Sequence, residues 1–401
     1  MMNLSCKICR NNPKKLLKSI HYSAINNLVT KSKEETVCFK AVNEAEKIVG
    51  YPTSFLSLRW LLNDEVANVA RHIRKLIGTN HPLLAAARDL IIGGQTPTWG
   101  LIVLLISKAG GLGKGFSDID KDVTAGILHS QRVLAEVTEM IRTSNILHNS
   151  VLNIYKKDLD DFPDLNYGNT LSLLTGDFLL SNSFRELAGL KNQEVNELVS
   201  TCLRDLVEAE FIEPRDKQNR PLPAKPLENQ ENVEIPNEFG TAPLKIKEVL
   251  GNAKAEWTLR HFLGSASLLA KCCQAALKLA DHPEDFQKLG YLFGRNMALA
   301  WQAHYDLECF NDSKRENFSL ISAPVVFHLQ HDPNFYTEIL KGSDDIYDCD
   351  YRKLKKIILQ GPALKITENL KEEFVGTSID ILQKFNDSDA KQALENLVKA
   401  L

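Results

Sequence analysis

Ala135-Glu136-Val137-Thr138-Glu139-Met140-Ile141-Arg142-Thr143-Ser144-Asn145-Ile146-Leu147-His148 decides the fold class of this 401-residue chain. In the wider span 126–154, Ile127, Leu128, Leu134, Val137, Met140, Ile141, Leu147 and Val151 recur at steps of three and four, which stacks them on one side of a helix. The same spacing predicts helices over 171–187, 195–211, 257–279 and 286–310. No stretch alternates as a half-buried strand would. Gly93-Gly94, Gly110-Gly111, Phe162-Pro163 and His282-Pro283 punctuate the helices as turns. The chain therefore reads as all-α.

One region breaks the pattern. Six of the fifteen prolines (Pro214, Pro221, Pro223, Pro226, Pro236, Pro243) crowd into 213–247 among Asn, Gln, Lys and Glu. Such a stretch cannot continue a helix and buries little, so it reads as a disordered or surface insertion within one helical domain spanning 34–401.

The 44% hydrophobic and 25% charged content excludes collagen-like, mucin-like and largely disordered chains. The densest apolar run, Leu101 to Ile106, is far shorter than the roughly 18 residues a membrane span requires. A formal net charge of -3 gives no hint of a nucleic-acid partner. That total hides a split. Residues 1–33 carry seven cations and no acid, leaving 41 cations against 51 acids elsewhere, a net of -10. Lys7, Arg10, Lys14 and Lys18 fall on one helical face, and acid-free segments of this kind resemble mitochondrial presequences; the bland alternative is a basic tail. The eight cysteines include one CxxC, Cys6 to Cys9, without a second pair or HxxxH to complete a zinc site. Such scatter fits a reducing compartment.

Gly110-Gly111-Leu112-Gly113-Lys114-Gly115 looks like a phosphate loop. However, Gly115 stands where a Walker A needs Ser or Thr, and Phe116 breaks GxGxxG, so a turn between helices is the better reading.

The stretch quoted first resembles the helix of the trans-polyprenyl diphosphate synthases that leads into their first aspartate-rich motif, DDxxD. Gly168-Asn169 with Leu174-Thr175-Gly176-Asp177-Phe178-Leu179-Leu180-Ser181 resembles the following GN...LxGDxLL segment. Ala266-Ser267-Leu268-Leu269-Ala270-Lys271-Cys272-Cys273 is similar to the segment after the family's Lys-Thr pair. Trp301-Gln302 resembles the FQ before the second aspartate motif, and Ser322-Ala323-Pro324-Val325 the proline block after it. The resemblance implies an isoprenoid synthase helical bundle around a central cavity. It also implies head-to-tail prenyl condensation: magnesium held between the two aspartate clusters grips an allylic diphosphate and neutralises its developing charge as it leaves.

The sequence departs from that pattern at each of these stations. After His148, where the family has DDxxD, stand Asn149, Ser150 and Asn153; after Gln302 stand Tyr305, Asp306 and Cys309. Six expected carboxylates are reduced to Asp306. Amides and hydroxyls supply none of the negative charge that assembles divalent ions beside a diphosphate. Gly264 and Ser265 replace the Lys-Thr pair, and Gln95 replaces the Lys of the early GGKxxRP segment. Two literal matches, Asp160-Asp161-Phe162-Pro163-Asp164 and Asp344-Asp345-Ile346-Tyr347-Asp348, lie far from the motif positions, and Pro163 keeps the first off a single helical face. Both read as acidic loops. His148 and Asp177 read as structural, and Glu208 and Glu210 at i and i+2 do not share a face.

No catalytic or metal-binding residue is therefore assigned to this chain. The pattern resembles the second, non-catalytic subunits of heteromeric decaprenyl or solanesyl diphosphate synthases. These imply a mitochondrial-matrix heterotetramer with a catalytic polyprenyl diphosphate synthase subunit that carries the magnesium and makes the ubiquinone side chain. Two readings stand beside it: an active transferase using the displaced Asp160 and Asp344 clusters, and a helical adaptor that inherited the fold.

Overall fold

The computed structural model describes residues 37–50, 53, 81–84, 98–113, 123–153, 163–227, 249–312, 315, 317–341 and 349–401. The basic leader, Gln95, residues 160–162 and the string at 344–348 lie outside them. The fold is helical, as expected. In chain order come α1 (Val37–Val49), α2 (Trp99–Gly110), a two-residue hairpin of β1 (Val123–Thr124) and β2 (Ile127–Leu128), α3 (His129–His148), α4 (Pro163–Gly189) and α5 (Gln193–Ala209). Then follow α6 (Ala253–His261), a π-helical turn (Phe262–Ala266), α7 (Ser267–Leu279) and α8 (Glu284–Asn311). α9 (Ala323–His331), α10 (Phe335–Leu340), α11 (Tyr351–Leu359), α12 (Ala363–Leu382) and α13 (Asp389–Lys399) complete the chain.

α7 is the axis of the core. Its side chains from Ser267 to Leu277 are all buried, and it packs against α2, α3, α5 and α8. α8 comes close to it through glycine: a Cβ at Gly294 would stand 2.7 Å from the Leu269 carbonyl oxygen, so no larger residue fits without moving backbone. α12 covers the other side of α8, and α13 closes against α1 and α2. α4 packs along α3 but leaves Leu173, Leu174 and Phe184 exposed.

Two buried acids, Glu139 and Asp205, tie helices together within this packing. Glu139 of α3 accepts a hydrogen bond from the Gly100 N–H at 2.9 Å, placing its carboxylate at the positive end of α2. Lys271 of α7 donates to Asp205 of α5 at 2.5 Å, and Ser267 donates to the same oxygen.

Several expected boundaries move for local reasons. α3 starts at His129, because Ala125 (φ 57) and Gly126 (φ 80) form the tight turn that pairs Val123 with Leu128. Pro163 stands at the first position of α4, where its missing N–H has no helical partner to lose. The helix expected over 257–279 is interrupted by the π turn.

Residues 213–227, the described part of the proline-rich stretch, carry more buried structure than their composition suggests. Leu222 and Ile212 are both buried in the core. Arg260 of α6 donates to the carbonyls of Ile212 (3.3 Å), Glu213 (3.1 Å) and Leu222 (3.2 Å) while its Nε holds Glu256 at 2.8 Å. Glu256 in turn accepts the Ala224 and Gly251 N–H groups at 3.0 and 2.8 Å. One buried ion pair thus fastens both feet of the irregular segment.

Candidate functional site

The first motif position lies where α3 stops. The helix ends at His148, so Asn149, Ser150 and Asn153 do not project from one helical face. Ser150 is buried and turns its hydroxyl back to the Ile146 carbonyl at 2.9 Å. The extended chain beyond is held by Asn169 of α4, whose side chain accepts from the Leu152 N–H (2.8 Å) and donates to the Leu152 carbonyl (2.7 Å). His81 Nδ1 accepts the Leu83 N–H at 3.1 Å, so its Nε2 carries the proton and donates to Asn169 at 3.0 Å. Burial lowers the His81 pKa, in keeping with a neutral ring.

His148 and Asp177 face each other at 3.2 Å across α3 and α4. Gly176 makes this possible: a Cβ there would stand 2.2 Å from His148 Nε2. Ser144 adds a hydrogen bond to the Gly176 carbonyl at 2.8 Å. The Gly-Asp pair of the motif therefore ties two helices together.

The other side of Asn149 and Asn153 is occupied by the loop that follows α5. Gln218 Oε1 accepts the Asn153 N–H at 3.2 Å, and its Nε2 donates to the Asn153 carbonyl at 3.3 Å. Asn153 Nδ2 donates to the Lys217 carbonyl at 3.2 Å, and Arg220 Nη1 to the Asn149 carbonyl at 3.3 Å. Glu210, just past the end of α5, pairs with Arg215 at 3.0 Å.

At the second motif position the one retained acid is an interior residue. Asp306 is 2% exposed. Its Oδ2 accepts from Trp257 Nε1 (2.9 Å) and the Ala323 N–H (2.8 Å), and its Oδ1 from Gln302 (2.8 Å). It thereby joins α6, α8 and α9. Burial pushes its carboxyl up to about 6 against these three donors, which pull the other way.

Tyr305 is half exposed under the Arg315 guanidinium, 5.7 Å from the ring centroid. Cys309 is buried, its thiol pushed up by burial, and it accepts from Arg315 at 3.6 Å. Lys355 of α11 donates to the carbonyls of Cys309 (2.9 Å), Asp312 (2.9 Å) and Arg315 (3.0 Å), at the negative end of α8.

Gly264 and Ser265, which the sequence resemblance sets against the Lys-Thr pair, sit in the π turn. Ser265 bonds back to the His261 carbonyl at 3.0 Å, and a Cβ at Gly264 would meet only Ala209 at 3.9 Å. Packing therefore does not exclude a larger residue there. Among the described residues no three His, Cys, Asp or Glu side chains gather as a metal-binding group. The only carboxylate at the six motif positions has its oxygens taken.

Sequence spacing marks neither Gln218 nor Arg220, which reach 65 and 71 residues back along the chain. Arg315 and Lys355 are equally silent in sequence. Asn169 stands inside a quoted motif, but only the fold shows what it holds.

No protein-family model matches the chain. It is 36% identical over 371 residues to the all trans-polyprenyl-diphosphate synthase PDSS2 of Mus musculus, covering 90% of this chain and 86% of that protein. It is 26% identical over 428 residues to the probable mitochondrial hexaprenyl pyrophosphate synthase of Neurospora crassa, covering 96% and 86%. Among solved structures, the heptaprenyl diphosphate synthase from Staphylococcus aureus superposes with a TM-score of 0.58 at 14% identity, over 90% of this chain and 96% of that one. The helical bundle is thus of the isoprenoid synthase type.

Proposed function

The chain belongs to the trans-polyprenyl diphosphate synthase family, and on that premise we propose that it is a non-catalytic or regulatory subunit of a heteromeric polyprenyl (decaprenyl or solanesyl) diphosphate synthase. The observation that carries the reading is Asp306: the single acid left at the six motif positions is buried and spent on three hydrogen bonds within the fold. A hard divalent cation needs outward carboxylate oxygens, and these positions offer none.

The chain then binds no magnesium of its own. It packs against a catalytic subunit that carries the metal and the diphosphate, in a heterotetramer. The apolar side chains left uncovered on α4 supply surface for a protein contact. The basic leader and the mitochondrial relative support work in the mitochondrial matrix, where the product becomes the ubiquinone side chain. No described helix is long and apolar enough to cross a membrane.

The test is co-expression with the catalytic subunit. We expect the two chains to co-purify and the partner's incorporation of labelled isopentenyl diphosphate to rise well above its level alone. This chain by itself, with magnesium, farnesyl diphosphate and labelled isopentenyl diphosphate, yields no long-chain product. Failure to co-purify together with no rescue of the partner would overturn the proposal, as would product from the chain alone.

A further inference from the structure

The loop after α5 is a built hairpin. Asp216 Oδ1 accepts the N–H groups of Gln218 (2.9 Å) and Arg220 (2.6 Å), fixing the turn, and Asn219 adopts φ 58 within it. Arg215 and Pro221 face each other as an antiparallel bridge, and the Leu222 N–H returns to the Pro214 carbonyl at 2.8 Å. The feet are clamped by Arg260 and sealed by Ile212 and Leu222. A hairpin fixed this way has its tip placed by its base. That tip lies on Asn149 and Asn153.

The contact is specific in form. The Gln218 side-chain amide pairs with the Asn153 backbone in both directions, as a neighbouring strand would. Arg220 brings a guanidinium to Asn149. The hairpin tip therefore covers the first motif position with the chain's own groups. At the second position Arg315 lies over Tyr305 and donates to the Cys309 thiol, while Lys355 donates to the Cys309 carbonyl.

Resting on the non-catalytic reading above, we infer that residues 213–222 are a built-in stopper. The hairpin closes the first motif position of this chain to prenyl diphosphates and leaves the substrate to the partner. A subunit that cannot turn over an allylic diphosphate gains from not sequestering it. The feet are buried and the tip is not, so the tip lifts without unfolding the base.

The test uses the full chain assembled with its catalytic partner, a benzophenone-bearing farnesyl diphosphate and magnesium. After irradiation the labelled peptides are located by mass, in the wild type and in a Gln218→Ala/Arg220→Ala variant. Hydrogen exchange at the Asn153 amide reports whether the tip has lifted. In the wild type we expect label on the partner alone and a protected Asn153 amide. In the variant the amide exchanges faster, and label on this chain rises about tenfold near residues 145–153, which corresponds to about 1.4 kcal/mol.

Equal labelling of this chain in wild type and variant would overturn the proposal. So would a variant whose Asn153 amide is exposed yet takes no label, and so would an amide that stays protected without Gln218 and Arg220. The subunit reading fails by a different sign, the absence of a complex. The same irradiation of this chain alone then still judges the stopper.

Discussion

Asp306 and His261 flank Trp257, one bonded to its indole N–H and the other with its ring 4.9 Å from the indole. Burial shifts both, in opposite senses for stability. The Asp306 carboxyl is pushed up to about 6. Between about pH 4 and 6 the folded state keeps a proton the unfolded chain has lost, so this residue's contribution to stability falls as pH rises through that window. His261 is pushed down to about 4 by burial, with the Arg260 charge adding to the shift and a bond to the Ile321 backbone opposing it. Between about pH 4 and 6.5 the unfolded chain takes up a proton that the fold refuses, so stability falls as pH drops. The two effects offset each other. Relative to wild type, His261→Asn should therefore lose stability as pH rises from 4.5 to 6, and Asp306→Asn should lose it as pH falls over the same range, each by about 2 kcal/mol at most. Urea midpoints against pH measure this. Parallel curves for all three proteins would remove the assignment.

The loop between α5 and α6 shows what an element owes to distant residues. Its composition reads as polar and proline-rich, and so it reads as a segment that buries little. What the sequence conceals is Arg260, whose bonds run 38 to 48 residues back to backbone carbonyls. Carbonyl acceptors carry no sequence signature. The helices are different: apolar spacing in 126–154 and 286–310 found α3 and α8 because burial on one face leaves a periodic trace. Boundaries moved where turn chemistry decided them, as at Ala125-Gly126. Arg260→Met should cost about 3–5 kcal/mol, because it leaves Glu256 buried and unpaired. Amide exchange across 212–222 should rise while the interior of α8 stays protected. Adding Glu256→Gln should recover part of the loss, and a uniform rise across all helices would instead mean global unfolding.

For the whole molecule, the family was legible because its ordered motif blocks survive in the sequence even where acids are replaced. How the motif positions are filled was not, since Gln218, Arg220, Arg315 and Lys355 arrive from other parts of the chain. At the two motif positions the described cations are already set on the chain's own carbonyls and side chains. Its thermal midpoint is expected to stay unchanged on adding magnesium and inorganic diphosphate, since only a ligand that binds the folded state raises it. A rise of several degrees in differential scanning calorimetry would reveal an ion site.

The π turn at Phe262–Ala266 divides one long rod into two phases. One additional residue in a single turn rotates everything after it by about 100° relative to an uninterrupted α-helix. Upstream of it, Glu256, Trp257 and Arg260 address the hairpin feet and Asp306. Downstream, Ser267 and Lys271 address Asp205 on α5. Without that offset, one of these two sets of partners would be turned away from its target. Gly264 and Ser265 lie inside the turn that keeps the two halves of the rod out of step.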